Sequence, residues 1–373
     1  MPTCHELDVN TGYDDWTTDE WDSLRVQWVV AGVAGALTIC VTLFNAFRHC
    51  SNYVNQKEQR QILRILYLPA VFGIVSFFSF VQYRLYVYLE MITATYEAVT
   101  MAAFLILLTE MFTFAVAAQT INQALMTKEK RKVVLFKCWR YRPSKAYVMP
   151  AIRWAVLQYI IIRPILSIIG AICESKNVYC EEEGFDFHYA NAYLELANIV
   201  SMIFAFYGLL TFFFLIHEDL KERKPMLKFA CIKLLIIIPQ LQTIVLNILV
   251  KRGTIKSTDH RTKDEVVHGY QCLLICIEAF LLSLLMLKAY PVKEYALALP
   301  KEKLPFWRAI LDSVNIFDFI QTILGSLRFF VARAQGKPES HGHGHLGRQA
   351  GNDPEYHSLT RYDSPPRRFE EPV

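Results

Sequence analysis

Seven stretches of roughly 17–22 residues are apolar enough to cross a bilayer, and no other feature restricts the fold as much. Backbone N–H and C=O groups find no water in hydrocarbon, so segments of this length satisfy them as helices. The stretches lie near Val26–Phe47, Ile65–Tyr83, Ala98–Ala118, Trp154–Cys173, Leu196–Ile216, Leu234–Val250 and Gly269–Leu287. The fold class that follows is all-α: a polytopic membrane protein with seven transmembrane helices, N-out and C-in, and a C-terminal amphipathic membrane-associated helix. Hydrophobic residues make up 53% of the chain, so the lipid bilayer is the partner that composition demands. The net charge of +4 is distributed in blocks of alternating sign, and nothing points to nucleic acid.

Orientation follows from lysine and arginine in short loops. Arg48, Lys57, Arg60 and Arg64 follow the first span. Lys128, Lys130, Arg131, Lys132, Lys137, Arg140, Arg142, Lys145 and Arg153 follow the third, and Lys221, Arg223, Lys224 and Lys228 the fifth. Arg84 and Lys176 are the cations of the loops after spans 2 and 4. The loop after span 6 dissents, with Lys251, Arg252, Lys256, Arg261 and Lys263. The majority places the N-terminus outside or in a lumen. The membrane itself, plasma membrane or endomembrane, stays open.

Four regions are expected. Residues 1–25 form an acidic extracytoplasmic leader, with Glu6, Asp8, Asp14, Asp15, Asp19, Glu20 and Asp22 against Arg25. This is no basic n-region, so no cleavable signal is expected. Residues 26–290 form the seven-helix domain. Residues 304–334 form the amphipathic helix: Trp307, Leu311, Val314, Phe317, Ile320, Leu324, Leu327 and Val331 recur at three and four, with polar residues between. It should lie on the cytoplasmic membrane surface or against the bundle. Residues 335–373, rich in Gly, Pro, Ser, His and charge, read as a disordered cytoplasmic tail.

The fourth span breaks the apolar rule at its centre, with Arg163 followed by Pro164. A cation there costs about 2.5–3.5 kcal/mol on insertion scales. Proline deprives the Ile160 carbonyl of its donor. Such a span belongs inside a bundle, against acidic or polar partners. Counting from the expected span ends puts Glu110 in span 3 and Glu278 in span 7 at the same depth. One reading is a three-residue network that lines a solute or ion route. The other is an ion pair that fixes helix register. Glu97 and Glu195, nearer the outer ends, are further route candidates, as are Gln158 and Gln240; neutral amides in spans also serve as interhelical glue. Pro69, Pro164 and Pro239 are expected helix breaks whose freed carbonyls could face a cavity.

Cys173 and Cys180 flank the acidic loop after span 4 and could pair in an oxidising lumen. Cys50 and Cys138 are juxtamembrane thiols, open to palmitoylation or free. His341, His343 and His345 in the tail are too weakly ordered a set to assign a metal. Tyr356 and Ser364 begin short sorting-like and phosphorylation-like patterns. No P-loop, Gly-x-Ser-x-Gly, H-E-x-x-H or Rossmann glycine run occurs, so no enzyme, cofactor or metal site is expected.

At this point the chain resembles the organic solute transporter alpha-subunit family, and within it the transmembrane protein 184 group. The residues that carry the likeness are NYVNQKEQRQILRILYLPAVFGIVSFFS (Asn52–Ser79), TYEAV (Thr95–Val99), LQYIIIRPILSII in span 4, the stretch from Ile199 through KPMLKFACIKLLIIIPQ to Gln240, and WRAILDSVNIFDFIQ (Trp307–Gln321). Tyr96, Glu97, Gln158, Arg163, Pro164, Lys228, Lys233 and Gln240 fall on matching positions. The likeness implies transport of amphipathic organic solutes, steroid- or bile-acid-like or lipid. It also implies a small single-span accessory subunit, or else a homo-oligomer. The tight cysteine cluster of the family's bile-acid branch is missing here.

Two other readings share the topology. One is a non-transporting protein that organises trafficking through residues 304–334 and the tail. The other is a seven-helix receptor. Span 3 ends in AAQTINQ rather than Asp/Glu-Arg-Tyr, span 7 ends in LKAYPVKEY rather than Asn-Pro-x-x-Tyr, and span 7 has no retinal lysine. These departures speak against the receptor.

Overall fold

The computed structural model describes residues 18–115, 131–132, 140–141, 148–180, 187–217, 220, 223–255, 263–296, 305–315, 317, 319–322 and 324–325. The tail from 335 on, Cys138, and most of the basic loop after span 3 lie outside them. Seven segments are long and apolar enough to cross a membrane: Leu24–Ser51, Gln56–Val81, Tyr83–Phe112, Pro150–Ser175, Ala190–Ile216, Pro225–Val250 and Glu265–Ala289. The all-α, multi-pass architecture stands. Among the described residues the strands are β1 (Arg131–Lys132) and β2 (Arg140–Tyr141), a two-residue antiparallel ladder between spans 3 and 4.

The first span is α1 (Thr18–Ser51), which begins inside the stretch read as leader. The second is built from α2 (Gln56–Leu66) and α3 (Leu68–Val81). Asn55 caps α2, its side chain accepting from the Glu58 N–H at 3.4 Å. The Gln59 side chain accepts from the backbone of Val54 and Asn55 at 2.7 and 2.9 Å. Two of the orphan donors of a helix start are thereby satisfied. Pro69 stands in the first turn of α3, where a missing N–H costs least. After a 3₁₀ turn (Tyr83–Leu85) comes α4 (Tyr86–Ala115), then α5 (Val148–Ser175), α6 (Ala190–Ile216), α7 (Pro225–Lys251), α8 (Lys263–Ala289), α9 (Lys293–Ala296) and α10 (Phe306–Val314).

Of the three prolines read as breaks, the chain divides at Pro69 alone. Pro164 lies inside continuous α5 and Pro239 inside continuous α7. The loss of one backbone bond is tolerated where the rest of a long helix is held by its neighbours.

Helices α1, α3 and α8 pack as one group and α4, α5 and α6 as another. Contact between α3 and α4 joins the groups, and α7 rests mainly on α8. Small residues set the close approaches. Gly35 faces Gly73 where α1 crosses α3, and a Cβ on Gly35 would stand 3.7 Å from the Gly73 carbonyl oxygen. Gly208 of α6 is tighter: its Cβ would meet the Ala155 Cβ at 2.9 Å and the Ile152 carbonyl at 3.2 Å. The main core runs between these elements, from Ile62 and Leu66 through Met101, Phe104, Leu108 and Leu157 to Phe212 and Cys231.

One end of the bundle, called here the basic end, holds the α1–α2 turn, the α6–α7 connection and the chain after α8. It is tied by charge. Arg223 Nη1 reaches Glu58 Oε2 at 2.8 Å, and Lys228 Nζ reaches Glu294 Oε2 at 3.0 Å. His49 Nε2 lies 3.1 Å from the Tyr290 carbonyl oxygen. These contacts explain how α2 buries Glu58, Gln59, Gln61 and Arg64 inside a span. Each is a polar group with partners, so burial does not strand it.

Cys173 and Cys180 do not pair. Cys173 is a free thiol. Cys180 is disulfide-bonded. The backbone explains it. Cys173 stays in the last turns of α5 and packs beside Tyr83, Tyr86 and Tyr179. The chain then leaves through Asn177 and Cys180, both at φ 52°. It is pinned by Ala190 N–H to the Val178 carbonyl and Asn191 N–H to the Tyr179 carbonyl, each at 3.1 Å. Cys50, also free, is buried at the end of α1.

A charged cluster between the spans

The third span starts well before the position that hydropathy gives it. It runs Tyr83–Phe112, so Glu90 and Glu97 are inside it and Glu110 is near its basic end, two residues before Phe112. The charges that act on Glu110 are Lys57, Glu58, Arg153 and Arg60, all of the basic end. The depth assigned to Glu110 from the sequence belongs to Glu97. The expectation that Glu110, Arg163 and Glu278 share one network is therefore corrected: among the described contacts they fall into three separate places.

Arg163 sits midway along α5, and its ion-pair partner is Glu195 of α6, with Nη1 and Oε1 4.0 Å apart. The Asn198 amide donates to the other Glu195 oxygen at 3.4 Å. Arg163 also acts electrostatically on Glu90 and Glu97 of α4. The larger charge on Glu97 is Lys233 of α7. Lys233 is buried; its ammonium lies 4.3 Å from the centroid of the Phe206 ring and 3.9 Å from the Met101 sulfur. A cation over an aromatic face is stabilised by the ring quadrupole without a carboxylate contact. Glu97 Oε1 and Arg163 Nε are buried without a hydrogen-bond partner among the described residues.

The helices that carry these groups are locked to each other by neutral bonds. Ser201 Oγ donates to Gln158 Oε1 at 2.9 Å, and Gln158 Nε2 donates to the Ser201 carbonyl at 2.9 Å. Gln158 thus joins α5 to α6. Thr95 Oγ1 donates to Ser167 Oγ at 3.2 Å, which joins α4 to α5. Tyr96 donates to the Arg64 carbonyl at 2.8 Å, tying α4 to α2 beside Glu97. Along the outward seam of α5 and α6 lies a groove of about 510 Å³. Gln158 and Ser201 form its polar floor, with Ile162, Tyr193, Leu196, Ala197, Val200 and Phe204 as walls. Arg163 and Glu195 do not line the groove, although each is next in sequence to a residue that does.

Glu278 lies elsewhere, on the outward-facing side of α8 with exposed Leu274 and Leu281 a turn to either side, where Gln242 of α7 donates to it. Gln240 is also outward-facing, on α7. At the far end of the bundle from Glu110, His268 Nε2 lies 2.8 Å from Ser79 Oγ and 3.3 Å from Cys272 Sγ, boxed by the Tyr83 and Tyr86 rings. Among the described residues no group of three or more His, Cys, Asp or Glu could hold a metal ion.

Sequence reasoning missed Lys233 as a site residue because it began span 6 at Leu234. A lysine eight residues after the Pro225 that starts its helix was the available signal. It missed Glu90 by assigning it to a loop.

Seven membrane-crossing helices, with charged groups held between them, define an integral multi-pass membrane protein. Residues 27–295 match the family model of the organic solute transporter Ostalpha, and the chain belongs to that family. No solved structure matches the chain.

Proposed function

We propose that this solute transporter carries amphipathic organic molecules, steroid- or bile-acid-like or lipid, and that Arg163 and its surroundings form the carrying site. The observation that supports the reading is the loose Arg163–Glu195 pair at 4.0 Å, with Arg163 Nε unmatched, on the same two helices that form an apolar groove. A solute with an apolar body and an anionic or strongly polar end meets both halves of its chemistry there. Its body displaces lipid from Ile162, Val200 and Phe204, and its polar end takes the guanidinium donors that Glu195 leaves open. Glu97 of α4 and Lys233 of α7, which interact electrostatically, supply two further charges for the solute to pass.

The positive loops support placing the basic end in the cytosol and the N-terminus outside. A single-span accessory subunit or a second copy has its best seat on α7 and α8. Gln240 and Asn247 face outward there beside the Glu278–Gln242 pair, and polar groups in spans promote helix association.

The test is uptake of a bile-acid or steroid conjugate by vesicles reconstituted with the protein. Flux in the wild type that vanishes in Arg163→Ala, at equal yield of folded protein, supports the reading. Undiminished flux in Arg163→Ala sinks it. Absence of flux for every amphipath tried, with vesicle sorting lost on deletion of residues 304–334, favours the organising role instead.

A further inference from the structure

Helix α10 presents two unlike edges. On the inner edge Ala309 and Ser313 are buried. Asp312 accepts from the Tyr53 hydroxyl at 2.6 Å and pairs with Arg60 Nη2 at 2.7 Å. Arg64 Nε donates to the Ser313 carbonyl at 3.0 Å, its Nη2 donates to the Asn315 carbonyl, and its guanidinium lies 4.4 Å from the Phe319 ring centroid. All of the Tyr53, Arg60 and Arg64 contacts belong to the α1–α2 turn and α2. On the outer edge Trp307, Leu311 and Val314 are 72–73% exposed, and Phe317 continues the stripe at 58%.

What covers that stripe is indicated by where it begins. The Phe306 ring packs 5.4 Å from the Phe47 ring, centroid to centroid. Phe47 and Phe44 are outward-facing residues of the first membrane span, at its basic end. The apolar edge of α10 is therefore continuous with the surface that the first span turns to lipid. A helix with one apolar edge, one polar edge and a tryptophan near its start suits the boundary between acyl chains and headgroups.

We infer that α10 is an in-plane anchor: the bilayer leaflet at the basic end takes Trp307, Leu311, Val314 and Phe317, while the polar edge clamps α2. The leaflet then fixes α2, and through the Arg64 carbonyl and the Tyr96 hydroxyl it fixes the part of α4 that carries Glu97. This holds whatever solute the protein carries.

Tryptophan quenching in the full-length protein tests it. The protein is reconstituted in phosphatidylcholine vesicles brominated either near the headgroup or near the bilayer centre, and the emission lost in Trp307→Phe is isolated by difference. That emission should fall at least about twofold with the shallow bromines, less with the deep ones, and should resist aqueous iodide. Quenching by iodide without quenching by bromolipid would show the edge in water and overturn the anchor. Protection from both quenchers would show it covered by protein, a second copy or another chain, and would overturn it equally.

Discussion

Arg163 and Glu195 face each other at 4.0 Å across α5 and α6, the same two helices that the Gln158–Ser201 bonds fasten further along. The neutral bonds are short and saturated, whereas the ionic one is long and leaves Arg163 Nε unmatched. One contact fixes the helices; the other keeps capacity for a further anion. The structural role of this seam and the transport role proposed for it are thereby separable by mutation.

Arg163→Ala leaves Glu195, Glu90 and Glu97 with one cation fewer, and the carboxylates left unmatched should destabilise the fold by about 1–3 kcal/mol. Arg163→Ala combined with Glu195→Gln should recover most of that loss, because the abandoned carboxylate is gone. Thermal unfolding in detergent, run as a double-mutant cycle, reads the difference. Transport should be recovered by neither variant.

Glu97→Gln and Glu110→Gln should part company. Lys233 and Arg163 act electrostatically on Glu97, whereas the cations that act on Glu110 are those of the basic end. Vesicle uptake should drop at least about tenfold for Glu97→Gln, a barrier change of about 1.4 kcal/mol, and by less than about twofold for Glu110→Gln. The opposite order would return the route to the depth first assigned to Glu110.

Two glycine substitutions should differ in sign. Gly208→Ala drives a methyl into the Ala155 Cβ at 2.9 Å and the Ile152 carbonyl, and should cost about 1–3 kcal/mol. Gly35→Ala meets its first atom at 3.7 Å. Its gain in helix propensity, about 0.5–1 kcal/mol, should leave stability equal or higher. Melting temperatures of the two purified variants check this.

The disulfide at Cys180 gives a prediction independent of transport. Cys180→Ser should abolish the bond and lower stability by about 2–4 kcal/mol. Cys173→Ser should change neither the non-reduced peptide map nor the melting temperature, because its thiol is free.

Tyr53 links α10 to the α1–α2 turn. Burial first, and then the bond to Asp312, hold its phenol well above the ordinary range, so it remains a neutral donor. Tyr53→Phe keeps the ring and should cost about 1 kcal/mol. Limited proteolysis should then cut the residues around α10 faster than in the wild type.

Several of these expectations rest on residues that sequence alone placed correctly. Arg163 finds a partner at a helix seam, as a cation in the middle of an apolar stretch requires, but it is only half-buried, and its span, expected inside the bundle, is the least buried of the seven. Pro69 stands where its span divides. Glu110 is instructive in the other direction. Hydropathy put span 3 too late because Arg84, Glu90 and Glu97 looked like loop charges. Those carboxylates are carried inside the membrane by cations on other helices, and a window along one helix does not register partners across space. Lys233 escaped for the same reason, since its partners are a carboxylate on α4 and a ring on α6.

Sequence by itself determined the class of the molecule: apolar stretches of bilayer length can satisfy their backbones only as helices, and seven of them make a multi-pass bundle. It also determined that Arg163 needs partners. Which partners it has, Glu195 rather than Glu110 or Glu278, was decided only by the tertiary structure. So were the two edges of α10, the burial of α2's polar side chains, and the separation of Cys173 from Cys180. Local hydropathy depends on near neighbours along the chain, whereas charge pairing depends on which faces of different helices meet, and that is set by the packing of the whole bundle.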